Sequence, residues 1–590
     1  MAAVQAGAIP HHRNAMRHLQ RGTYYLLLAG LLSWLSANAV QADDPDWIAR
    51  GTRGMVASDS PAASKIGAEV LRAGGNAFDA AVATSYALAV ARPYSTGLGG
   101  GGFMVAYIAH EKRFVALDFR EMAPQAATLD YYVRLHAANP DGPSPSIYGG
   151  NAVAVPGQVA GLEEIRQRYG TMKLAELIAP AIELARTGFV VDQDYHDACQ
   201  TTIKKCQKWP QLKQLPGDIH HKVLGDGTPP KIGSRVPRPD LARALQLISR
   251  NGADAVYHGP IGDAIVSAVQ AAGGKLTMDD LHSYRLRERE PLHVRIGQRE
   301  IISMPPPSSG GVCLIEALNI LNHLEPAGLA ATHGKERYPQ ILVYAFKHAF
   351  ADRARWLGDP DFAPIPTAYL TSAEYARSLA TQFPRPADHF GTTSIPDDGG
   401  TSHFCVADDE GNIVALTETI NGTFGSLVIA EPFGIILNNQ MDDFSTEPGQ
   451  PNLYGLVQGQ ANLVGPGKRP LSSMTPTIVF ENGKPALVLG ASGGPRIITH
   501  VLQVMLNCLE FDQPLAEAIN AVRLHHQWRP DEVFFDRKPP AALVQSLQNF
   551  GEKISDKRKG AIVQAIRFLE NGTMVGASDP RKGGRPAGLP

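Results

Sequence analysis

The pattern of the chain changes abruptly at residue 401, and that change limits the fold more than any other feature. From residue 153 to about 383 helical signals dominate, interrupted by breakers such as Pro305-Pro306-Pro307-Ser308-Ser309-Gly310-Gly311. A linker, Ser394-Ile395-Pro396-Asp397-Asp398-Gly399-Gly400, then ends on two glycines, and Thr401 leads straight into β-formers. Residues 403–407 and 413–419 flank Asp408-Asp409-Glu410-Gly411-Asn412, which reads as a hairpin. A second hairpin, 477–480 with 486–489, turns at 481–484, and a helix over 497–509 follows it. Upstream, Ser60-Pro61 is a helix start with serine as cap and proline at the first position, closed by Gly74-Gly75. Asn76 and Asp79 bracket a further helix through 80–91, and 103–108 and 114–119 read as two strands turning at 110–112. Strands and helices mixed in this way call for sheets covered by helices.

Composition removes several function classes. Among 590 residues, 55 basic and 57 acidic side chains leave a net charge of −2, which gives no electrostatic footprint for nucleic acid. Hydrophobic residues at 44% exclude general disorder, and only 19% charged argues against a coiled coil. Arg13, Arg17 and Arg21 precede a short apolar run, 24–35, and two A-x-A-like patterns at 37–39 and 40–42. This is the layout of a secretory signal peptide cut after Ala42. A membrane anchor would need about 20 apolar residues, and Ser33, Ser36 and Asn38 interrupt the run. The expected product is periplasmic or secreted and free of the membrane. Export permits disulfides, and Cys199 and Cys206, seven apart in a polar stretch, are a candidate pair for closing a small loop, a bridge the sequence leaves open. Cys313, Cys405 and Cys508 read as buried thiols, and 582–590 as a loose tail.

Two motifs invite readings that their context weakens. Gly97–Gly102 matches G-x-G-x-x-G, but it follows a helix and enters a strand, the reverse of a dinucleotide site. Its glycines are read as sites of close backbone packing. Gly490-Ala491-Ser492-Gly493-Gly494 matches G-x-S-x-G between a strand and a helix, with Asp512 and His525 in hydrolase order. His220-His221 and His525-His526 are adjacent pairs whose side chains should point apart, so no metal site is indicated.

A longer series of motifs outweighs each of these. Asp118-Phe119-Arg120-Glu121-Met122-Ala123-Pro124 comes first, after Gly99–Phe103. Thr401-Ser402-His403, Thr417-Glu418-Thr419-Ile420-Asn421 and Asn438-Asn439-Gln440-Met441-Asp442-Asp443-Phe444 follow. Arg469-Pro470-Leu471-Ser472-Ser473-Met474 and Ser492-Gly493-Gly494-Pro495-Arg496 complete the set. In this order they resemble the γ-glutamyltransferase (glutathione hydrolase) family of N-terminal nucleophile hydrolases, from about residue 54 to 580.

The resemblance implies a four-layer αββα sandwich and a precursor that cuts itself between Gly400 and Thr401. Fragments 43–400 and 401–590, of about 38 and about 20 kDa by their share of the 63.3 kDa chain, would stay together as a heterodimer. Thr401 would be the nucleophile, its freed α-amine the base, Thr419 its orienting partner, and Gly493 and Gly494 the oxyanion donors. For the γ-glutamyl head group, Arg120, Ser472 and Ser473 would hold the α-carboxylate. Asp443, Asn421 and Gln440 would hold the α-ammonium. Tyr454 resembles a lid tyrosine, which favours small γ-glutamyl compounds such as glutathione, with water, amino acids or peptides as acceptors. Asn421 is followed by Gly422, and Ser492-Gly493 stands at a common Pro-Gly; neither departure removes a functional group. No cofactor is implied. Three rivals remain: a cephalosporin (glutaryl) acylase of the same fold, a Ser492 α/β-hydrolase, and a non-enzymatic binding protein.

Overall fold

The computed structural model describes residues 44–384 and 400–590, so the signal-peptide reading, the cut after Ala42 and the linker through Gly399 lie outside the described residues. The chain divides into a short unit, Met1–Asp46, and the body, Trp47–Pro590. Among the described residues, no helix is long and apolar enough to cross a membrane.

Two seven-stranded sheets form the centre of the body. In chain order their strands are β1 (Ile48–Gly51), β2 (Gly54–Ser58), β3 (Gly101–Ile108), β4 (Arg113–Phe119) and β5 (Arg287–Arg289). Then come β6 (Leu292–Ile296), β7 (Arg299–Ser303), β8 (Gly400–Asp408), β9 (Ile413–Asn421) and β10 (Thr477–Glu481). The last four are β11 (Lys484–Ser492), β12 (Ile562–Phe568), β13 (Met574–Ser578) and β14 (Ala587–Leu589). One sheet runs β14-β2-β8-β9-β3-β4-β5 and the other β1-β13-β12-β11-β10-β7-β6. Each therefore joins strands from both sides of position 400.

Strand periodicity sorts the layers. Along β8, Phe404 and Val406 face a core shared with the helices α1 (Pro61–Arg72) and α2 (Ala77–Ala91). Cys405 and Ala407 point the other way, into a core shared with β10, β11 and β12. That second core also takes in α4 (Gly310–Leu324), α5 (Arg337–Trp356) and α6 (Arg496–Leu509). Helix, sheet, sheet, helix is the expected four-layer order. All fifteen residues of α2 are buried, which its alanine-rich sequence permits, and Asn76 and Asp79 form its capping box. Ser60 caps α1 by position only, since its side chain makes no cap bond.

One open question closes here and one expectation fails. Cys199 and Cys206 lie two turns apart on one helix, α3 (Gln193–Lys208), and both are free thiols. Seven residues of helix rise about 10 Å, beyond the span of a disulfide. The tail is not loose: β14 pairs with β2, Gly54 opposite Leu589, and Lys582 forms an ion pair with Asp59.

Candidate active site

The β8–β9 hairpin positions the hydroxyls. Gly400 pairs with Asn421 but Ser402 with Glu418, so Thr419 and Ile420 together stand opposite Thr401 alone. Such a bulge re-aims side chains, and here it brings two threonines together. The Thr401 hydroxyl lies 2.8 Å from the Gly400 carbonyl oxygen and 3.2 Å from the Thr419 hydroxyl. Thr419 donates to the same Gly400 oxygen at 2.5 Å. The peptide bond before Thr401 thus carries a nucleophile at hand and a donor on its oxygen. His403 offers no base for this: burial holds its imidazole down at about 3, and its Nδ1 is engaged by Thr417 at 2.7 Å.

Beside these threonines a small cleft gathers most of the expected binding residues: Arg120, Asn421, Gln440, Asp443, Ser472 and Ser473, together with Tyr454 and Gly494. Arg120 Nη2 donates to Asp443 at 2.5 Å and Gln440 donates to the same carboxylate at 2.7 Å. Burial pushes the Asp443 carboxyl up while Arg120 beside it pulls the other way. Asn421 sits at φ 72 and its amide is spent on the Asn439 carbonyl at 3.0 Å. Ser472 is tied into its own turn by the Met474 N–H at 3.1 Å.

Gly493 and Gly494 open the β11–α6 turn at φ 138 and φ 60, where side chains are strained. The Tyr454 ring lies over Gly494, where a Cβ would meet it at 2.6 Å. The Tyr454 hydroxyl donates to the Asn421 carbonyl at 3.0 Å, so the ring is buried and clasped to the hairpin.

One polar lining residue escaped the sequence reading. Arg353, on α5, gives Nε to Ser309 at 2.9 Å, Nη1 to Gln458 at 3.3 Å and Nη2 to Ser473 at 3.3 Å. Burial pulls its guanidinium down to about 10, for all three partners are neutral. The available signal was a cation on an apolar stripe, in register with Ala345 and Ala349 at helical spacing.

The competing motifs do not assemble. Asp512 is exposed on Arg567, while His525 bonds Thr499 and Gln527, so no triad reaches Ser492. In the G-x-G-x-x-G stretch a Cβ on Gly100 would meet the Thr419 carbonyl at 2.0 Å, which is close packing as read. The histidine pairs differ from expectation. His220 and His221 both turn to Asp226, at 3.8 and 2.9 Å, because that residue's φ of 55 folds the loop back on them. His526 gathers Asp531 and Glu552, a ligand-like trio. Lys347 already stands there, 3.0 Å from Asp531 and 2.8 Å from Glu552, so the charge is met by an ammonium.

The family model for gamma-glutamyltranspeptidase matches residues 63–589. A glutathione hydrolase proenzyme of Escherichia coli is 42% identical, covering 90% of this chain and 91% of its own. An acylase ACY 1 proenzyme from Pseudomonas sp. (strain SE83) is 36% identical over 92% of this chain and 94% of its own. Among solved structures, a cephalosporin acylase from Bacillus halodurans superposes with a TM-score of 0.81 at 26% identity, covering 94% of this chain and 99% of its own.

Proposed function

The chain belongs to the gamma-glutamyltranspeptidase family, and on that premise we propose that it is a self-cutting precursor whose Thr401 carries γ-glutamyl groups. The enzyme cleaves γ-glutamyl bonds, glutathione among its substrates. The observation that carries the residue assignment is the Thr401 hydroxyl on the Gly400 carbonyl, with Thr419 donating to that oxygen.

In maturation Thr401 Oγ attacks the Gly400 carbonyl carbon. The C–N bond breaks, the nitrogen leaves as the Thr401 amine, and water hydrolyses the resulting ester. Gly400, lacking a side chain, fits against the Asn421 and Gly422 carbonyls, where a Cβ would clash at 2.8 Å. The freed amine, with a reference pKa of about 7.7–8.0, is then a base for its own hydroxyl. In turnover the same oxygen attacks the γ-carbonyl, the substrate's amine departs with a proton, and water or another amine collects the acyl group. Gly493 and Gly494 N–H groups stabilise the oxyanion, each donor worth about 2.7–4 kcal/mol. Arg120 opens from Asp443 to take the α-carboxylate, and Asp443 turns to the α-ammonium. The segment that ends at Ala42 directs export and is removed.

Purified protein run on a denaturing gel should show two bands with the masses of fragments 43–400 and 401–590, the smaller beginning at Thr401. Thr401→Ala should leave a single band, equal in mass to the two together, with no activity. An intact active chain would end this reading.

The acylase-like neighbours support a second reading, hydrolysis of glutaryl side chains. A glutaryl group lacks the ammonium that Asp443 would meet, so glutaryl anilide turned over faster than γ-glutamyl anilide would favour it.

A further inference from the structure

The turn that follows His525 carries strain that the chemistry at Thr401 does not explain. Leu524–His525 is a short strand paired with Val533–Phe535, and the chain between them passes through Trp528 at φ 63. A bulky residue is strained there, and such strain persists only where its surroundings hold it in place. Alternate side chains of this turn face opposite ways. His526 reaches Asp531 at 3.2 Å, whereas His525 and Gln527 are buried on the inner side, toward α6 and Tyr454.

On that inner side the hydrogen bonds run in one direction. Gln527 Nε2 donates to the Tyr454 carbonyl at 3.1 Å, and Gln527 Oε1 lies 3.0 Å from His525 Nε2. A carboxamide oxygen only accepts, so His525 Nε2 carries the proton. Burial holds this imidazole well below its ordinary pKa, so the ring is neutral and its Nδ1 offers a lone pair. The Thr499 hydroxyl, 2.9 Å away, donates to it. Thr499 stands in the first turn of α6, directly after the oxyanion turn. Gln503 donates to the Thr499 and Leu524 carbonyls at 2.8 and 2.7 Å and accepts the Leu524 N–H at 3.0 Å, which pins the strand before Gln527 to α6.

We propose that Gln527 is a positioning residue for the acyl transfer: through the Tyr454 carbonyl it sets how closely the Tyr454 ring sits on Gly494, and through His525 and Thr499 it ties that spacing to α6. The inference rests on the reading of Thr401 as acyl carrier and of Gly493 and Gly494 as oxyanion donors. Tyr454 has other grips. Its N–H goes to the Asn452 side chain at 3.0 Å and its hydroxyl to the Asn421 carbonyl. These hold the residue to its own loop and to the β8–β9 hairpin. Gln527 instead joins it to the helix that the oxyanion turn opens onto, so ring and turn keep one spacing. Without that bond the ring is free to lift, and water reaches the oxyanion donors and weakens them.

The test is a double-mutant cycle on mature enzyme hydrolysing γ-glutamyl anilide. Gln527→Met should lower kcat about tenfold by taking the donor from a buried carbonyl, and KM should stay within about twofold because Arg120 and Asp443 are untouched. Tyr454→Ala, which deletes the ring, should lower kcat at least as far. Gln527→Met added to Tyr454→Ala should then cost less than about twofold more, since no ring remains to be placed. Losses that multiply would make Gln527 a packing residue and overturn the proposal, as would a single variant as fast as wild type or a loss confined to KM. If Gln527→Met fails to mature, Thr499→Val decides, because it removes the hydroxyl that fixes the imidazole and keeps the side chain's shape. It should lower kcat about threefold with Tyr454 present and have no such effect beside Tyr454→Ala; equal losses in both backgrounds, or none in either, overturn the inference. Wild type inert on the anilide would sink the acyl-carrier reading itself. Active wild type with multiplying losses would sink only the role of Gln527.

Discussion

Two buried clusters of arginine and carboxylate show how the same residue types serve different ends. In the first, Arg523 and Arg581 face Asp536 and Asp579. Arg523 reaches Asp579 at 2.6 Å and Asp536 at 3.3 Å, and Arg581 reaches them at 2.9 and 2.7 Å. Two cations meet two anions, and Asp579 also accepts from the Val563 N–H of β12 at 3.1 Å. In the head-group cleft Arg120 pairs with Asp443, Glu121 lies 3.6 Å from Arg120, and Arg353 is buried on the same lining. Arg353 has neutral partners only, and burial pushes the Glu121 carboxyl up to about 7. Below that pH the cleft holds one cation more than it holds anions. A balanced cluster fastens the chain; an unbalanced one has room for a substrate's charge.

Removing charge should therefore have opposite consequences in the two places. Arg523→Met leaves two buried aspartates to share Arg581 alone and should cost about 3–5 kcal/mol of stability, read by denaturant unfolding. The pH response of the cleft comes next. Glu121 holds a proton in the folded chain up to about 7, against about 4.3 when unfolded. The folded state then binds more protons between those values, so stability falls as pH rises across that window, by up to about 4 kcal/mol. Glu121→Gln should flatten that fall. It should also flatten a rise in donor KM above pH 7, where an ionised Glu121 would oppose the incoming carboxylate. The groups facing Glu121 are Arg120, which pulls the other way, and Asp443 and Asp118, which add to the shift. A wild-type stability curve that is level from pH 5 to 8 would contradict this.

Legibility in the sequence followed the range of the interactions. The 403–419 hairpin could be read because its turn residues and β-formers are adjacent, and the four-layer order came from the ordered motifs. The closing strand β14 could not be read. Ala-Gly-Leu has no strand pattern of its own and is fixed by Gly54–Val56, near the opposite end of the chain. Cys199 and Cys206 carry the same spacing in a loop or a helix, and only the helix forbids the bridge. Arg353 is 120 residues from Ser473, so only the fold makes it part of the cleft.

That residue gives the finest test of the contrast. Its guanidinium spends its donors on Ser309, Gln458 and Ser473, none of which offsets the cost of burying a charge. Arg353→Met should therefore leave stability within about 1 kcal/mol of wild type, since an apolar chain of similar length replaces an uncompensated ion. Activity should respond differently. Ser473 loses the donor that fixes its hydroxyl, and the cleft loses its surplus positive charge. The KM for a γ-glutamyl donor should then rise about tenfold, or about 1.4 kcal/mol, with kcat less affected. Arg353→Lys, which keeps the charge but not the fork, should recover part of the KM. A donor with its α-carboxylate converted to an amide separates the two contributions. Wild type should discriminate against it strongly, and Arg353→Met should not. Unchanged discrimination in the variant, with a fall in stability like that of Arg523→Met, would make Arg353 a fastening residue and erase the difference between the two clusters.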